Sequence, residues 1–191
     1  KKQGYRIIAT GEMGIGNTTT SAAVASVLFG WPVEEVTGPG AGLSGEGIKR
    51  KMNAIHKAIN LNRPDPKDPM DVLSKVGGFD LAGLVGLYLG GARHRVPIMI
   101  DGMISAVAAA LAWKIAPLSR EYMIPTHVSK EPSGMKLLQA LEMRPMLTCD
   151  MCLGEGTGAI AALPLLDMAL SVYDGMCTFS ETNIEQYEEL N

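Results

Sequence analysis

The residue whose setting most suggests chemistry is Glu155, which stands between Gly154 and Gly156 and is followed by Thr157. The flanking glycines leave the carboxylate uncrowded and allow a substrate to approach the backbone. Thr157 is placed to begin a helix, and the positive end of a helix dipole favours an ionised carboxylate nearby. An ionised, accessible carboxylate suits a general base. A plain helix cap explains the same residues equally well, so both interpretations stay open on local grounds.

A second candidate site is the glycine loop of residues 11–16, between a short apolar run and a segment rich in Ala, Val and Ser. A strand, a glycine loop and a helix N-terminus together offer backbone N–H groups to one phosphate. The loop also resembles a nucleotide P-loop, with Asn17 where that motif has a phosphate-binding Lys. Asp101, after an apolar run, stands where a magnesium-holding carboxylate usually lies. A monophosphate site, a degenerate P-loop and a purely structural turn therefore all remain possible.

Further candidates are weaker. The glycine loop of residues 38–42 precedes a predicted helix that carries Lys51, which either faces the same phosphate or is an ordinary solvated lysine. Cys149 and Cys152 have zinc-knuckle spacing, but no second cysteine pair or histidine cluster accompanies them, so loop or buried reduced thiols are expected. No metal site is predicted. His127 is the one histidine close to these motifs, and it is expected to be an ordinary loop residue with a possible site contact.

The elements that must position these residues alternate along the chain. Apolar runs predict three strands, and the uniformly apolar middle run is typical of a strand covered on both faces. Helices are predicted between the glycine loops, and an extended piece is predicted at residues 32–36. The predicted strands are 5–10, 97–100 and 122–125, and the predicted helices are 17–28, 44–60, 70–91 in two pieces, 105–115, 134–141 and about 157–178. This alternation indicates an α/β fold with a mostly parallel sheet flanked by helices.

Composition narrows the function classes. The chain has 191 residues, 47% of them hydrophobic, which is enough for one domain with a sizeable core. Its net charge of −3 argues against non-specific binding to nucleic acid or to anionic membranes. No apolar run reaches the ~20 residues that span a bilayer, and no targeting segment is present, so a cytoplasmic location is expected. The acidic run of residues 181–191 predicts a solvated terminal segment.

Three motifs together resemble one family. Residues 11–19 (GEMGIGNTT), 101–105 (DGMIS) and 153–159 (LGEGTGA) are similar to those of nicotinate-nucleotide–dimethylbenzimidazole phosphoribosyltransferases, in the same order. The resemblance covers essentially the whole chain and implies a Rossmann-like, three-layer core. Members are about twice as long, so residues 1–191 are expected to be a single core domain that lacks an N-terminal part.

The resemblance implies an activity of cobalamin synthesis that needs no cofactor. The phosphoribosyl group of nicotinate mononucleotide passes to a benzimidazole-type base, which gives α-ribazole 5′-phosphate and nicotinate. It also implies a homodimer, whereas the expectation of no nucleic acid or membrane partner rests on composition. The alternatives are a degenerate P-loop nucleotide-binding protein and a non-catalytic nucleotide-binding subunit.

The resemblance also implies roles for particular residues. Glu155 is the general base, and Glu12 matches the family's second acidic residue, near the bound substrate base, where it assists. The positions that match the family's phosphate site are Gly14, Gly40, Lys51 and Ser129, and those that match its substrate pocket are Asp80, Asp101, Leu153 and Gly154. Pro39 and Ala41 replace an Arg and a Thr that relatives usually carry, which removes a charge and a hydroxyl near the phosphate.

Overall fold

The computed structural model describes residues 1–182 and 185 and shows a parallel sheet between layers of helices. The predicted solvated terminal segment lies largely outside these residues. The first half contains β1 (Ile8–Ala9), α1 (Asn17–Phe29), α2 (Val33–Val36), α3 (Gly45–Asn62), α4 (Pro69–Val76) and α5 (Phe79–His94). The second half contains β2 (Ile98–Ile100), α6 (Gly102–Ile115), a 3-10 helix (Pro117–Tyr122), β3 (Met123–Pro125), α7 (Gly134–Ala140), α8 (Thr157–Gly175) and α9 (Phe179–Thr182).

The sheet has the order β1-β2-β3, and both strand pairs are parallel, with Ile98 opposite Ile8 on one side and Met123 on the other. Side chains of the central strand alternate between two apolar clusters. Ile98 and Ile100 face a large cluster with α1, α5 and α6, whereas Met99 faces Ala159 and Ala162 of α8. Helices therefore cover both faces, and the predicted three-layer α/β fold is confirmed.

Most predicted elements are confirmed with small shifts of their ends. Asp68 caps α4 by accepting from two backbone N–H groups, and Gly77-Gly78 separates α4 from α5 as predicted. The extended piece predicted at residues 32–36 is wrong, because α2 is helical there. Val33 and Val36, three residues apart, both reach the core on one helical face, and Pro32 precedes the first turn.

The sheet's topology decides where the motifs meet. Because the strands are parallel, their carboxyl ends lie at one edge, where open α/β sheets bind ligands. The residues that follow the three strands are Thr10, Asp101 and Thr126, and all three are buried. Thr10 Oγ1 lies 2.7 Å from the carbonyl oxygen of Met99 and accepts from the backbone N–H of Asp101 at 3.2 Å. These contacts lock β1 to β2 at the edge that carries the candidate site.

Candidate active site

A cavity of about 230 Å³ lies at this carboxyl edge of the sheet. Several separate loops form its wall. The residues that line it are Glu12, Met13, Gly14, Thr18, Gly40, Ala41, Asp101, Gly102, Met103, Ile104, His127, Ser129, Glu131, Met151, Cys152, Leu153, Gly154 and Glu155. The three sequence motifs therefore meet at one cavity, although they lie far apart along the chain.

Glu155 is held in a strained backbone conformation. Its φ is +58°, and the neighbouring glycines have φ of +76° and +83°, so three successive residues are left-handed. Glycine adopts this conformation freely, but a residue with a side chain does so at a cost of about 1 kcal/mol. The turn presents the exposed Glu155 carboxylate to the cavity. Strain of this kind is characteristic of functional sites.

The first glycine loop packs directly against this turn. The backbone N–H of Glu155 donates to the carbonyl oxygen of Glu12 at 3.0 Å. A Cβ on Gly11 would lie 2.5 Å from the nitrogen of Gly156, so only glycine permits the contact. The Glu12 carboxylate accepts from the backbone N–H of Gly14 at 2.6 Å and shapes its own loop. Both predicted acidic residues therefore lie on touching loops at the cavity.

The Asp101 carboxylate holds the Glu155 turn in place by binding the start of α8. Only 3% of Asp101 is exposed, and its carboxylate accepts from the backbone N–H groups of Gly156 at 2.8 Å, Gly158 at 2.8 Å and Ala159 at 3.1 Å. These are the unpaired donors of the first turn of α8, whose N-cap Gly156 has no side chain to satisfy them. Asp101 thus borders the cavity, but both its oxygens are committed to the helix that begins beside Glu155.

Lys51 supplies a buried cation beside the phosphate-type loops. Its ammonium donates to Thr18 Oγ1 and to the carbonyl oxygen of Gly38, both at 2.9 Å, and only 6% of the residue is exposed. Gly40 lies against both groups, since a Cβ there would be 2.8 Å from Thr18 Oγ1 and 3.6 Å from Lys51 Nζ. Burial lowers the pKa of Lys51, and the Glu131 carboxylate partly opposes this. No carboxylate of the described residues lies within 4.0 Å of the Lys51 ammonium.

The N-terminus of α1 faces the same space. Its N-cap, Gly16, offers no side chain to the first N–H groups of the helix, and its first turn has no acidic residue. Such a helix end attracts an anion. Asn17 is neutral and supplies no charge there, and its buried side chain donates to Asp80 at 2.7 Å. Asp80 therefore supports the start of α1 and is not among the residues that line the cavity, and its pocket role stays a prediction.

The cavity wall also contains two residues to which the sequence analysis assigned no role. Glu131 lines the cavity, and its Oε2 is buried with no hydrogen-bond partner among the described residues. Nothing in its local sequence indicates this. His127 is not an ordinary loop residue: it is 4% exposed and lines the cavity. Its burial depends on distant segments, which a local pattern does not show.

Five further residues of the predicted site line the cavity: Gly14, Gly40, Ser129, Leu153 and Gly154. Cys149, Cys152 and Cys177 are all exposed free thiols, so none is buried.

Within residues 1–182 and 185, no group of three or more His, Cys, Asp and Glu side chains is placed to hold a metal ion. In the same part of the chain, no helix is long and apolar enough to cross a membrane.

Comparison with known proteins identifies similar chains. A family model described as phosphoribosyltransferase matches residues 1–184. Nicotinate-nucleotide–dimethylbenzimidazole phosphoribosyltransferases of Ruminiclostridium cellulolyticum and Clostridium acetobutylicum are 52% and 53% identical over 190 residues, which is 100% of this chain and 54% of each relative. The crystal structure of CobT from Thermus thermophilus is 41% identical, with a TM-score of 0.89 over 97% of this chain and 55% of that one. The chain thus spans about half the length of these relatives.

Proposed function

The chain belongs to the nicotinate-nucleotide–dimethylbenzimidazole phosphoribosyltransferase family, and we propose that it carries the catalytic centre of that reaction. The phosphoribosyl group of nicotinate mononucleotide is transferred to a benzimidazole-type base in cobalamin synthesis. The products are α-ribazole 5′-phosphate and nicotinate. The observation that carries the proposal is the strained turn that presents Glu155 to the cavity. Lys51 does not itself line the cavity, but its ammonium donates to Thr18, which does.

The 5′-phosphate binds at the α1 end of the cavity. Free N–H groups of the first α1 turn, the loop glycines Gly14 and Gly40, and the Ser129 hydroxyl surround it. Lys51 supplies the positive charge. A buried ammonium without a carboxylate partner is costly, and a bound phosphate relieves that cost through charge-assisted hydrogen bonds. Because Pro39 and Ala41 carry no donor side chain, backbone groups, the Ser129 hydroxyl and Lys51 make up this clamp.

Glu155 acts as the general base. A ring nitrogen of the incoming base attacks the ribose anomeric carbon from the face opposite the nicotinate, and the configuration inverts from β to α. The bond to the nicotinate nitrogen breaks, and its electron pair neutralises the pyridinium. The N–H proton of the incoming base passes to the Glu155 carboxylate. This transfer makes the base nucleophilic, and positioning both rings supplies much of the remaining acceleration.

Glu12 assists by holding the geometry. Its carboxylate closes the first loop onto Gly14, and its carbonyl oxygen fixes the Glu155 backbone. The aromatic base lies beside the apolar part of the lining, to which Met13, Met103, Ile104 and Leu153 contribute. Met13 and Leu153 are 65% and 64% exposed, so a planar ring finds apolar surface to cover.

The assembly we propose is a cytoplasmic homodimer, with neither nucleic acid nor membrane as partner. The second half of α8 supports an apolar interface, because Met168, Val172 and Tyr173 are 56%, 58% and 81% exposed. Exposed apolar patches of this kind mark interaction surfaces. The negative net charge of the chain does not attract the phosphate backbone of a nucleic acid.

The experiment that tests the function supplies nicotinate mononucleotide and 5,6-dimethylbenzimidazole and follows nicotinate and the α-ribotide by chromatography. It uses this chain and any longer protein that contains it. Lys51→Met is expected to raise KM for the nucleotide at least about tenfold, whereas the exposed Lys57→Met is expected to leave it unchanged. Equal KM values for both variants would contradict the phosphate clamp.

A further inference from the structure

His127 occupies a position that the reaction outlined above leaves without a role. It lies two residues beyond β3, is 4% exposed and lines the cavity. Its ring packs against the first turn of α8, where a Cβ on Gly158 would overlap His127 Nδ1. Any side chain at position 158 would therefore displace the ring. The glycine that follows Thr157 in the third motif thus sets the position of an imidazole from another loop.

The hydrogen-bond network assigns the tautomer of this imidazole. Thr126 Oγ1 donates its single proton to the carbonyl oxygen of Ile100 at 2.6 Å. The same hydroxyl lies 3.1 Å from His127 Nδ1 and can only accept in that contact. Nδ1 therefore carries the hydrogen, and in a neutral imidazole Nε2 then carries a lone pair.

The burial of this imidazole favours its neutral form. Burial lowers the pKa of His127, and the nearby Asp101 carboxylate only partly opposes this. Asp101 Oδ1 lies 3.8 Å from Nδ1, beyond hydrogen-bond distance, and its oxygens already accept from three backbone N–H groups. The second nitrogen is consequently an acceptor and not a donor.

That acceptor has no partner within the part of the chain that the structure describes. Nε2 makes no hydrogen bond there, yet it is not among the fully enclosed unpartnered atoms, so it retains contact with open space. A Cβ on Gly102, another cavity-lining residue, would lie 3.9 Å away. The accessible side of the ring is therefore its cavity side, where Nε2 offers a lone pair to a ligand that carries a donor.

We propose that His127 Nε2 accepts a hydrogen bond from a ribose hydroxyl of the nucleotide substrate and fixes the sugar for attack. This rests on the proposed function. The nicotinate carboxylate offers acceptors only, the phosphate is held by donors, and the N–H of the incoming base is the proton that Glu155 takes. The ribose hydroxyls are the donors that remain.

The placement of His127 supports this choice of partner. His127 is two residues from Ser129 at the phosphate end, and its ring touches Gly158, three residues after Glu155. The ribose joins the phosphate to the reacting carbon, so it lies between these two ends of the site. His127 is close in sequence to the first end and packs against the helix start at the second, so it is placed to contact the sugar between them.

The test combines variants with altered nucleotides. His127→Phe keeps a planar ring and removes the acceptor, and His127→Gln restores an acceptor at the Nε2 position. Each is assayed with nicotinate mononucleotide and with its 2′-deoxy and 3′-deoxy analogues. His127→Phe is expected to lower kcat/KM roughly 10- to 100-fold on the ribonucleotide. The same change should cost less than about threefold on the analogue that lacks the partner hydroxyl. His127→Gln should recover part of the loss, and the exposed His56→Gln should change nothing.

The outcomes separate the two proposals. Equal losses on all three nucleotides would overturn the ribose contact and leave the transferase standing. Absence of product in the unaltered protein would overturn the transferase and this contact together. Nitrogen NMR of the unaltered protein gives a readout that needs no turnover, and it should show hydrogen on Nδ1 of His127. Hydrogen on Nε2 near pH 7 would overturn the acceptor role, as would a His127→Phe protein that is folded and fully active.

Discussion

At the scale of single residues, the site combines groups that sequence could identify with groups that it could not. Glu155 was predictable because its flanking glycines are adjacent in sequence and report a special backbone. His127 was not, because its ring packs against Gly158 in a motif distant in sequence. The pocket role of Asp80 was implied by the family resemblance and not by its own surroundings. Its carboxylate accepts from the Asn17 side chain at 2.7 Å, and the pocket role stays a prediction.

Because the backbone at Glu155 is strained, replacing this residue with glycine should increase stability and remove activity. Glu155→Gly should raise the free energy of unfolding by up to about 1 kcal/mol, because glycine accepts a φ of +58° without strain. The same change should abolish transfer. Arg95→Gly is the matched control, since Arg95 has a φ of +55° at the exposed end of α5, outside the cavity lining. It should stabilise similarly and leave activity intact. Denaturant titration and the transfer assay check both, and loss of stability in Glu155→Gly would contradict the strain.

The buried imidazole predicts how stability depends on pH. The pKa of His127 in the folded protein lies below its ordinary value of 6.5, so the unfolded chain binds its proton more readily. The free energy of unfolding should therefore fall as pH drops through 6.5 towards the folded-state pKa. His127→Gln should show a shallower fall over that window. Denaturant titrations at several pH values measure this, and parallel slopes for the two proteins would refute it.

At the scale of elements, three strand ends and two helix starts build the site, and most contacts between them join a side chain of one element to the backbone of another. The alternation of apolar runs and glycine loops predicted the parallel sheet because each strand is short and apolar. It did not predict the helix at Val33–Val36, since a single turn carries too few residues to show a period. Nor could it show that Asp101 caps α8, because that contact joins segments distant in sequence.

Through its contact with α8, Asp101 should couple the stability of the fold to the rate of the reaction. Asp101→Asn replaces one oxygen with an amide that cannot accept from the first N–H groups of α8. Leaving buried donors unpaired should cost about 1–3 kcal/mol of stability. Because the Glu155 turn begins at the same helix end, kcat should fall while KM for the nucleotide changes little. Asp167→Asn, on the exposed part of α8, should change neither. Full activity in a folded Asp101→Asn protein would contradict this role.

At the scale of the whole molecule, the second half of α8 stands apart from the core. Its buried residues are confined to the first two turns, at Gly158, Ala159 and Ala162. Beyond them Leu165, Met168 and Val172 are exposed on one side of the helix. Sequence alone showed an apolar helix but not which part of it the core would cover. The structure shows that the sheet uses only the first turns.

The uncovered part of α8 predicts self-association. Sedimentation of the purified chain should show a dimer or larger species, because covering apolar surface is favourable at about 25 cal/mol per Å². Met168→Lys together with Val172→Lys should shift it to monomer. Leu118→Lys is the control, since Leu118 is a single apolar residue that is 80% exposed elsewhere. A monomeric unaltered chain at micromolar concentration would argue against an interface on α8.

The measurement that tests the central claim most directly compares Glu155→Gln with the unaltered protein in the transfer assay. The amide keeps the size and backbone strain of Glu155 but cannot take a proton from the incoming base. We expect transfer to fall at least about 100-fold, in line with the loss of a general base, with the melting temperature and nucleotide binding unchanged. A Glu155→Gln protein that forms the α-ribotide at the unaltered rate would contradict the assignment of Glu155 as the base.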